Sequence, residues 1–261
     1  MNPKPSIHYE VHGVTGTYLL LVHGMLSGRA QWIPNLEALC SCCRPVVVEL
    51  FGHGRSPSPE DPKCYTLNYY SAEFERIRNE LSIEKWFVCG QSLGAALTLN
   101  YALNHSEQVM AQIFTNSRSA LTDESMDETM EFIANLIKEK GREVIDDFPL
   151  HPSKNKRLSP EIKSALIEDV NRVDINGFSH TCLYTVAGSS LRHLIHKNSV
   201  PTLLIAGKFD RQFMPLIDFA KTNFPNLELL VLDGGHAVNL DVPDRFNQAV
   251  MEYMGRFDKN F

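Results

Sequence analysis

The sequence predicts an α/β fold, a mostly parallel, doubly wound sheet interrupted by one all-helical insertion. Three observations predict it. Short β-branched runs alternate with longer amphipathic stretches up to about residue 118; the strand signal is absent over residues 119–196; and the alternation resumes from 197 to the end. Runs apolar on both faces belong to parallel strands covered on both sides, and strand–helix alternation builds such sheets through right-handed crossovers. The expected organisation is a core made of residues 1–118 and 197–261, with residues 119–196 forming a helical cap set into it.

The elements follow in order. Residues 7–11 alternate at period two and stop at Gly13, and residues 18–22 are continuously apolar and stop at His23-Gly24. Residues 45–50 form a third strand ending at Gly52-His53-Gly54, residues 86–89 a fourth ending at Gly90, and residues 111–115 a fifth. Between them the pattern predicts helices over 34–43, 67–81 and 93–104. In the cap, Ser125 and Glu128 read as a capping box, with Met126, Met130, Ile133 and Ile137 as an apolar stripe and Gly141 as the stop. Ser159-Pro160-Glu161 opens a second helix lined by Ile162, Leu166 and Val170. Residues 178–187 and 191–196 also read as helical; then strands 202–206 and 227–232 alternate with helices 215–224 and 244–257.

Composition narrows the function classes. The 261 residues carry 25 Lys+Arg against 31 Asp+Glu, a net charge of −6, which gives no electrostatic footprint for nucleic acid or an anionic membrane. The longest clean apolar runs are strand-sized, so no membrane span is expected, and the first six residues lack the apolar stretch of a secretory signal. A cytoplasmic protein is expected. Cys40, Cys42 and Cys43 contain a C-x-x-C, but Cys64, Cys89 and Cys182 supply no second pair at metal-binding spacing, so no metal site is expected.

The chemistry concentrates at strand ends. Gly90-Gln91-Ser92-Leu93-Gly94 is a G-x-S-x-G placed where a buried strand turns into a helix. Glycines on either side permit the tight turn, Ser92 must take a strained backbone conformation that presents its hydroxyl, and the following helix favours negative charge there. Ser92 is therefore the candidate nucleophile. It needs a base and the base an orienting acid. His236 directly follows the last strand and Asp210 the penultimate one, so the chain order Ser92, Asp210, His236 is the one this architecture requires. Thr115-Asn116-Ser117 offers no carboxylate at the alternative position after the earlier strand. The backbone N–H groups of Leu93 and Met25 are the candidate oxyanion donors. His23 and His53, each before a glycine, read as loop-fixing residues. Leu26, Trp32, Met130 and Phe213 are the candidate pocket residues; Arg29 follows the same loop, and Arg192 is a candidate contact for an anionic substrate.

On these residues the chain resembles the small, helical-cap kind of α/β-hydrolase fold protein. The resemblance rests on His23-Gly24, Gly52-His53-Gly54-Arg55-Ser56, Gly90 to Gly94, Gly207 to Asp210, and Gly235-His236 followed by Asp241-x-Pro243. Asn176-Gly177-Phe178 also resembles enol-lactone hydrolases and small carboxylesterases. The resemblance implies a serine esterase or lactonase that needs no cofactor and takes a small-molecule ester or lactone. Two alternatives stay open: the same machinery acting on a thioester or carbon–carbon bond, or as an acyltransferase or perhydrolase; and a ligand receptor with vestigial hydrolysis. Serine at position 92, where haloalkane dehalogenases and epoxide hydrolases use aspartate, argues against those two activities. Ala237, where many carbon–carbon hydrolases carry tryptophan, weighs against that chemistry. One strand rather than two precedes the 18–22 strand, so the first edge strand of the family is expected to be missing or a stub.

Overall fold

Residues 4–258 are described by a computed structural model. Their seven strands form one sheet in the order β1-β3-β2-β4-β5-β6-β7. These are β1 (His8–Val11), β2 (Tyr18–Val22), β3 (Arg44–Glu49), β4 (Trp86–Gly90), β5 (Val109–Thr115), β6 (Thr202–Gly207) and β7 (Leu227–Leu232). Every pairing is parallel except that of β1, which runs antiparallel to β3 along one edge. One strand thus precedes β2 among the described residues.

Both faces of the sheet are buried, and the strand period decides which side chain goes where. Leu19 and Leu21 of β2 join Leu203 and Ile205 of β6 on one face, under α1 (Ile33–Cys40) and a C-terminal helix that supplies Phe246, Val250 and Tyr253. Leu20 and Val22 join Leu204 and Ala206 on the other, under α2 (Leu67–Glu80) and α3 (Leu93–Asn104). Because β2 leads outward to β3 while β3 crosses back over β2 to β4, the winding direction reverses between β2 and β4. The loops leaving the carboxyl ends of those two strands diverge there and open a crevice.

Between β5 and β6 the chain forms helices only: α4 (Arg118–Leu121), α5 (Asp127–Lys140), α6 (Arg142–Asp146), α7 (Pro160–Asn171) and α8 (Ile175–His180), the last running on into a wide turn over Thr181–Val186. Gly141, at φ 60°, closes α5, and Ser159 caps α7 by accepting the Ile162 N–H. The Ser125/Glu128 box does not form. Ser125 Oγ instead accepts the N–H of Asp127, two residues on, and α5 begins at Asp127. Residues 191–196 make turns and a short 3₁₀ segment rather than a helix, with the Leu191 N–H taken by Ala120 O. Six residues are too few to hold a helix without tertiary help. The C-terminal part adds α9 (Ile217–Asn223), α10 (Val238–Asp241) and α11 (Pro243–Met254).

The helical segment is anchored to the sheet at several points. Asp174 N–H donates to Gly52 O, Thr185 Oγ1 to Tyr65 O, and Ala30 N–H to the Asp169 carboxylate of α7. Gly52 and Gly177 meet backbone to backbone. A Cβ on Gly177 would lie 2.6 Å from Gly52 Cα, which accounts for glycine in the Asn176-Gly177-Phe178 stretch. The Cys40, Cys42 and Cys43 thiols are unpaired; those of Cys42 and Cys43 lean on Leu39 O at the end of α1. No helix among the described residues is long and apolar enough to cross a membrane.

Candidate active site

β4 delivers Ser92 to the crevice through a turn that only small neighbours allow. A Cβ on Gly90 would meet Gly94 O at 2.3 Å, and one on Gly94 would meet Val22 O at 2.1 Å. Ser92 itself sits at φ 53°, in the left-handed region that costs a non-glycine residue of order 1–3 kcal/mol. Its surroundings hold it there: Gln91 N–H donates to Val22 O at the end of β2, and Gly94 N–H closes the turn onto Gln91 O.

Tertiary structure then brings together three residues far apart in sequence. Ser92 Oγ lies 2.9 Å from His236 Nε2, and His236 Nδ1 lies 2.7 Å from Asp210 Oδ2. The other Asp210 oxygen accepts the N–H groups of Gln212 and Phe213, each at 3.2 Å. Burial alone pushes the Asp210 carboxyl up; its contact with His236 and these two N–H groups outweigh that and hold it below the ordinary aspartate value. An ionised Asp210 on Nδ1 keeps the imidazole proton on that side and leaves Nε2 to accept from the serine hydroxyl.

The turn bearing His236 is held from several directions. Asn116, fully buried at the end of β5, donates from Nδ2 to Gly235 O at 3.1 Å and accepts Gly207 N–H on Oδ1 at 3.0 Å, tying the two loops that carry the acid and the base. Asp241 Oδ2 accepts the Gly235 N–H at 2.6 Å, which gives the Asp241-x-Pro243 motif its place. Gln91 Nε2 donates to His236 O. A buried chain of carboxamides joins this region to the loop after β2: Gln31 Nε2 donates to Asn239 Oδ1, and Asn239 Nδ2 to Gln31 O and Asn35 Oδ1. None of these residues was singled out from sequence as a site residue. Asn116 had a signal, as the polar residue where a carboxylate was sought; the carboxamides had none.

The N–H groups of Met25 and Leu93 have no acceptor among the described residues. Both residues line one of two cavities that meet at Ser92 and His236. The smaller, about 200 Å³, runs under Leu26, Leu158, Leu166 and Leu240 and is bordered by residues 149–152, 154 and 155 of the helical segment. The larger, about 350 Å³, runs past Leu93, Met126, Val186 and Gln212.

Leu26 lines the smaller cavity, but three expected pocket residues do not line either one. Trp32 is fully buried on the opposite face of the sheet, against Phe246. Phe213 is buried in the core and contributes only its backbone N–H to Asp210. Met130 packs between the helices of the insertion and the sheet, leaving Met126, one turn earlier, at the larger cavity. In each case the side chain satisfies a core instead. Arg29 pairs with Glu10, and Arg192 stacks on Phe219 at 3.4 Å and donates to Leu121 O, so neither reaches the cavities.

His23 and His53 fix loops. His23 donates from Nδ1 to Gly24 O at 2.7 Å and accepts the Leu50 N–H on Nε2 at 3.0 Å. His53 Nδ1 lies 3.0 Å from Phe51 O. Among the described residues no cluster of three or more His, Cys, Asp or Glu side chains is arranged to hold a metal ion.

A strand–turn–helix serine at a switch point of a mostly parallel sheet, joined by hydrogen bonds to a histidine and an aspartate from later strand ends, defines a class of architecture. Residues 17–157 match the family model described as the alpha/beta hydrolase fold, and the chain belongs to that family. It is 23% identical over 245 residues to carboxylesterase YbfK of Bacillus subtilis, covering 90% of this chain and 79% of that protein. It is 26% identical over 220 residues to 3-oxoadipate enol-lactonase 2 of Acinetobacter baylyi, covering 79% of this chain and 77% of that protein. Its fold matches that of a thermophilic esterase from Thermogutta terrifontis with a TM-score of 0.80, at 23% identity, over 96% of this chain and 93% of the other.

Proposed function

We propose that the protein is a serine hydrolase that cleaves a small carboxylic ester or lactone through an acyl-enzyme. The observation that carries this reading is the continuous hydrogen-bonded series from Ser92 Oγ through His236 to the buried Asp210 carboxylate, opening on two cavities. The esterase and lactonase relatives support it.

In this reading His236 takes the Ser92 proton on Nε2 as Oγ attacks the substrate carbonyl, and Asp210 stabilises the imidazolium. Carbonyl π electrons move to oxygen, and the Met25 and Leu93 N–H groups, free of other acceptors, receive the oxyanion. Collapse of the tetrahedral intermediate breaks the bond to the alcohol oxygen, which leaves with the proton from His236. Water, deprotonated by His236, then attacks the acyl carbonyl and releases the acid and Ser92. The helical segment 119–196 acts as a cap, shaping both cavities while the sheet supplies the chemistry.

Fluorophosphonate labelling followed by intact mass tests the nucleophile. One adduct on the wild type and none on Ser92→Ala is expected, with kcat on p-nitrophenyl esters reduced by about 10⁴ to 10⁶. An adduct that persists in Ser92→Ala refutes the assignment. A wild type that labels once yet turns over no ester, thioester or lactone refutes the hydrolase reading itself.

A further inference from the structure

His151 belongs to neither the helices nor the sheet, and the reaction just described does not use it. It lies in the irregular stretch between α6 and α7, is 8% exposed, and lines the smaller cavity that reaches Ser92 and His236. Its two nitrogens have different surroundings. Nδ1 accepts the backbone N–H of Ser153 at 3.2 Å, capping the short 3₁₀ segment Pro152–Lys154, and lies 2.7 Å from Ser153 Oγ. A backbone N–H only donates, so Nδ1 must carry its lone pair there, and in the neutral ring the proton sits on Nε2. Nε2 has no partner among the described residues, nor is it one of the unpaired atoms sealed from solvent. The ring therefore brings an unused donor to a cavity lined both by leucines and by polar groups such as Gln31 and Asn155.

We propose that His151 is a specificity-determining residue whose Nε2–H donates to an oxygen of the substrate portion filling the smaller cavity. The substrate class is accordingly an ester or lactone bearing a hydrogen-bond acceptor there, such as a keto or ether oxygen, rather than a plain alkyl chain. This rests on the hydrolase reading and narrows it. Charge supports the neutral donor: burial lowers the His151 value, Lys154 and Arg142 lower it further, and Asp146 opposes them, leaving it below the ordinary histidine range. A site built to donate to an oxygen discriminates against the analogue lacking it, because that analogue displaces water from the donor without replacing the hydrogen bond.

The test separates the capping role from the binding role. His151→Asn keeps a side-chain acceptor suited to the helix cap but removes Nε2 and its proton. Two matched pairs probe the two ends of the ester: p-nitrophenyl pentanoate against 4-oxopentanoate, and pentyl acetate against 2-ethoxyethyl acetate. With kcat/KM corrected for alkaline hydrolysis rates, the wild type is expected to favour the oxygenated member of one pair by about 3- to 10-fold, the range of one neutral hydrogen bond. His151→Asn should bring that ratio close to one. No preference in either pair, or a preference that survives in His151→Asn, overturns the proposal. A wild type that hydrolyses none of the four overturns this proposal, and one that also turns over no lactone or thioester refutes the hydrolase reading with it. If His151→Asn does not fold, the ¹⁵N spectrum of the selectively labelled wild type decides, since an Nδ1–H tautomer at His151 overturns the proposal and Nε2–H supports it.

Discussion

Acidification should destabilise this protein well before its carboxylates are protonated, and His23 is the reason. The ring is fully buried, and both nitrogens are committed to backbone partners, Nδ1–H to Gly24 O and Nε2 to the Leu50 N–H. A second ring proton would sit against the Leu50 N–H donor in a fully buried site. Burial, reinforced by repulsion from His53 at a ring separation of 5.3 Å, lowers the His23 value from 6.5 to about 3. In the unfolded chain the same ring titrates normally, so between those limits the unfolded state binds the proton and the folded state does not. Stability therefore rises with pH in this window and falls as pH drops below about 6.5. Each unit of difference is worth about 1.36 kcal/mol, so going from pH 7.5 to 5.0 should cost roughly 2 kcal/mol through His23 alone. His53, also lowered by burial, adds in the same direction. Urea unfolding at the two pH values measures the difference. The proton NMR resonance of His23 should stay fixed between pH 7.5 and 5.0 while exposed histidines move. A His23 resonance titrating near 6.5 in the folded protein, or an unfolding free energy that does not fall across this range, would show that His23 is not held neutral by burial. The consequence reaches function, since His23 anchors the strand end from which Met25 follows.

Other expectations concern the site. Asp210→Asn should leave fold and labelling stoichiometry intact but lower kcat by about 10⁴, because an amide favours the wrong imidazole tautomer; steady-state kinetics check it, and a loss below tenfold moves the acid elsewhere. Leu166, 3% exposed at the smaller cavity, should when cut to Ala admit up to about three more carbons of the substrate chain that enters it, each carbon contributing up to about fourfold in kcat/KM. Acyl- and alkyl-length series on both proteins would show one optimum shifted; two unchanged optima would mean that neither end of the ester occupies this cavity. The same substitution should lower stability by about 2–5 kcal/mol, readable in urea unfolding.

The features legible in the order of the amino acids are those that local chemistry dictates. Residues 18–22 and 203–206 are apolar at every position, which points to strands covered on both faces, and the alternation of seven such or alternating runs with mostly helical connections specifies the winding. Gly90 and Gly94 around Ser92 mark a turn that no larger side chain fits, and Asp210 and His236 follow strands whose carboxyl ends must share one edge of the sheet. Their meeting is a consequence of topology, which periodicity reveals. The pocket was not legible in this way. Trp32, Phe213 and Met130 stand beside the site in sequence or on an apolar stripe, yet each turns into a core, because the face a side chain takes is decided by what packs against it. His151 carries no periodic signal; it lines a cavity with Ser92 in a tertiary arrangement where Asp169 of α7 accepts the Ala30 N–H and the Asp174 N–H, ahead of α8, donates to Gly52 O. Asn116, Gln31 and Asn239 act through hydrogen bonds to residues up to 208 positions away, and such pairings exist only once the sheet has brought the loops together.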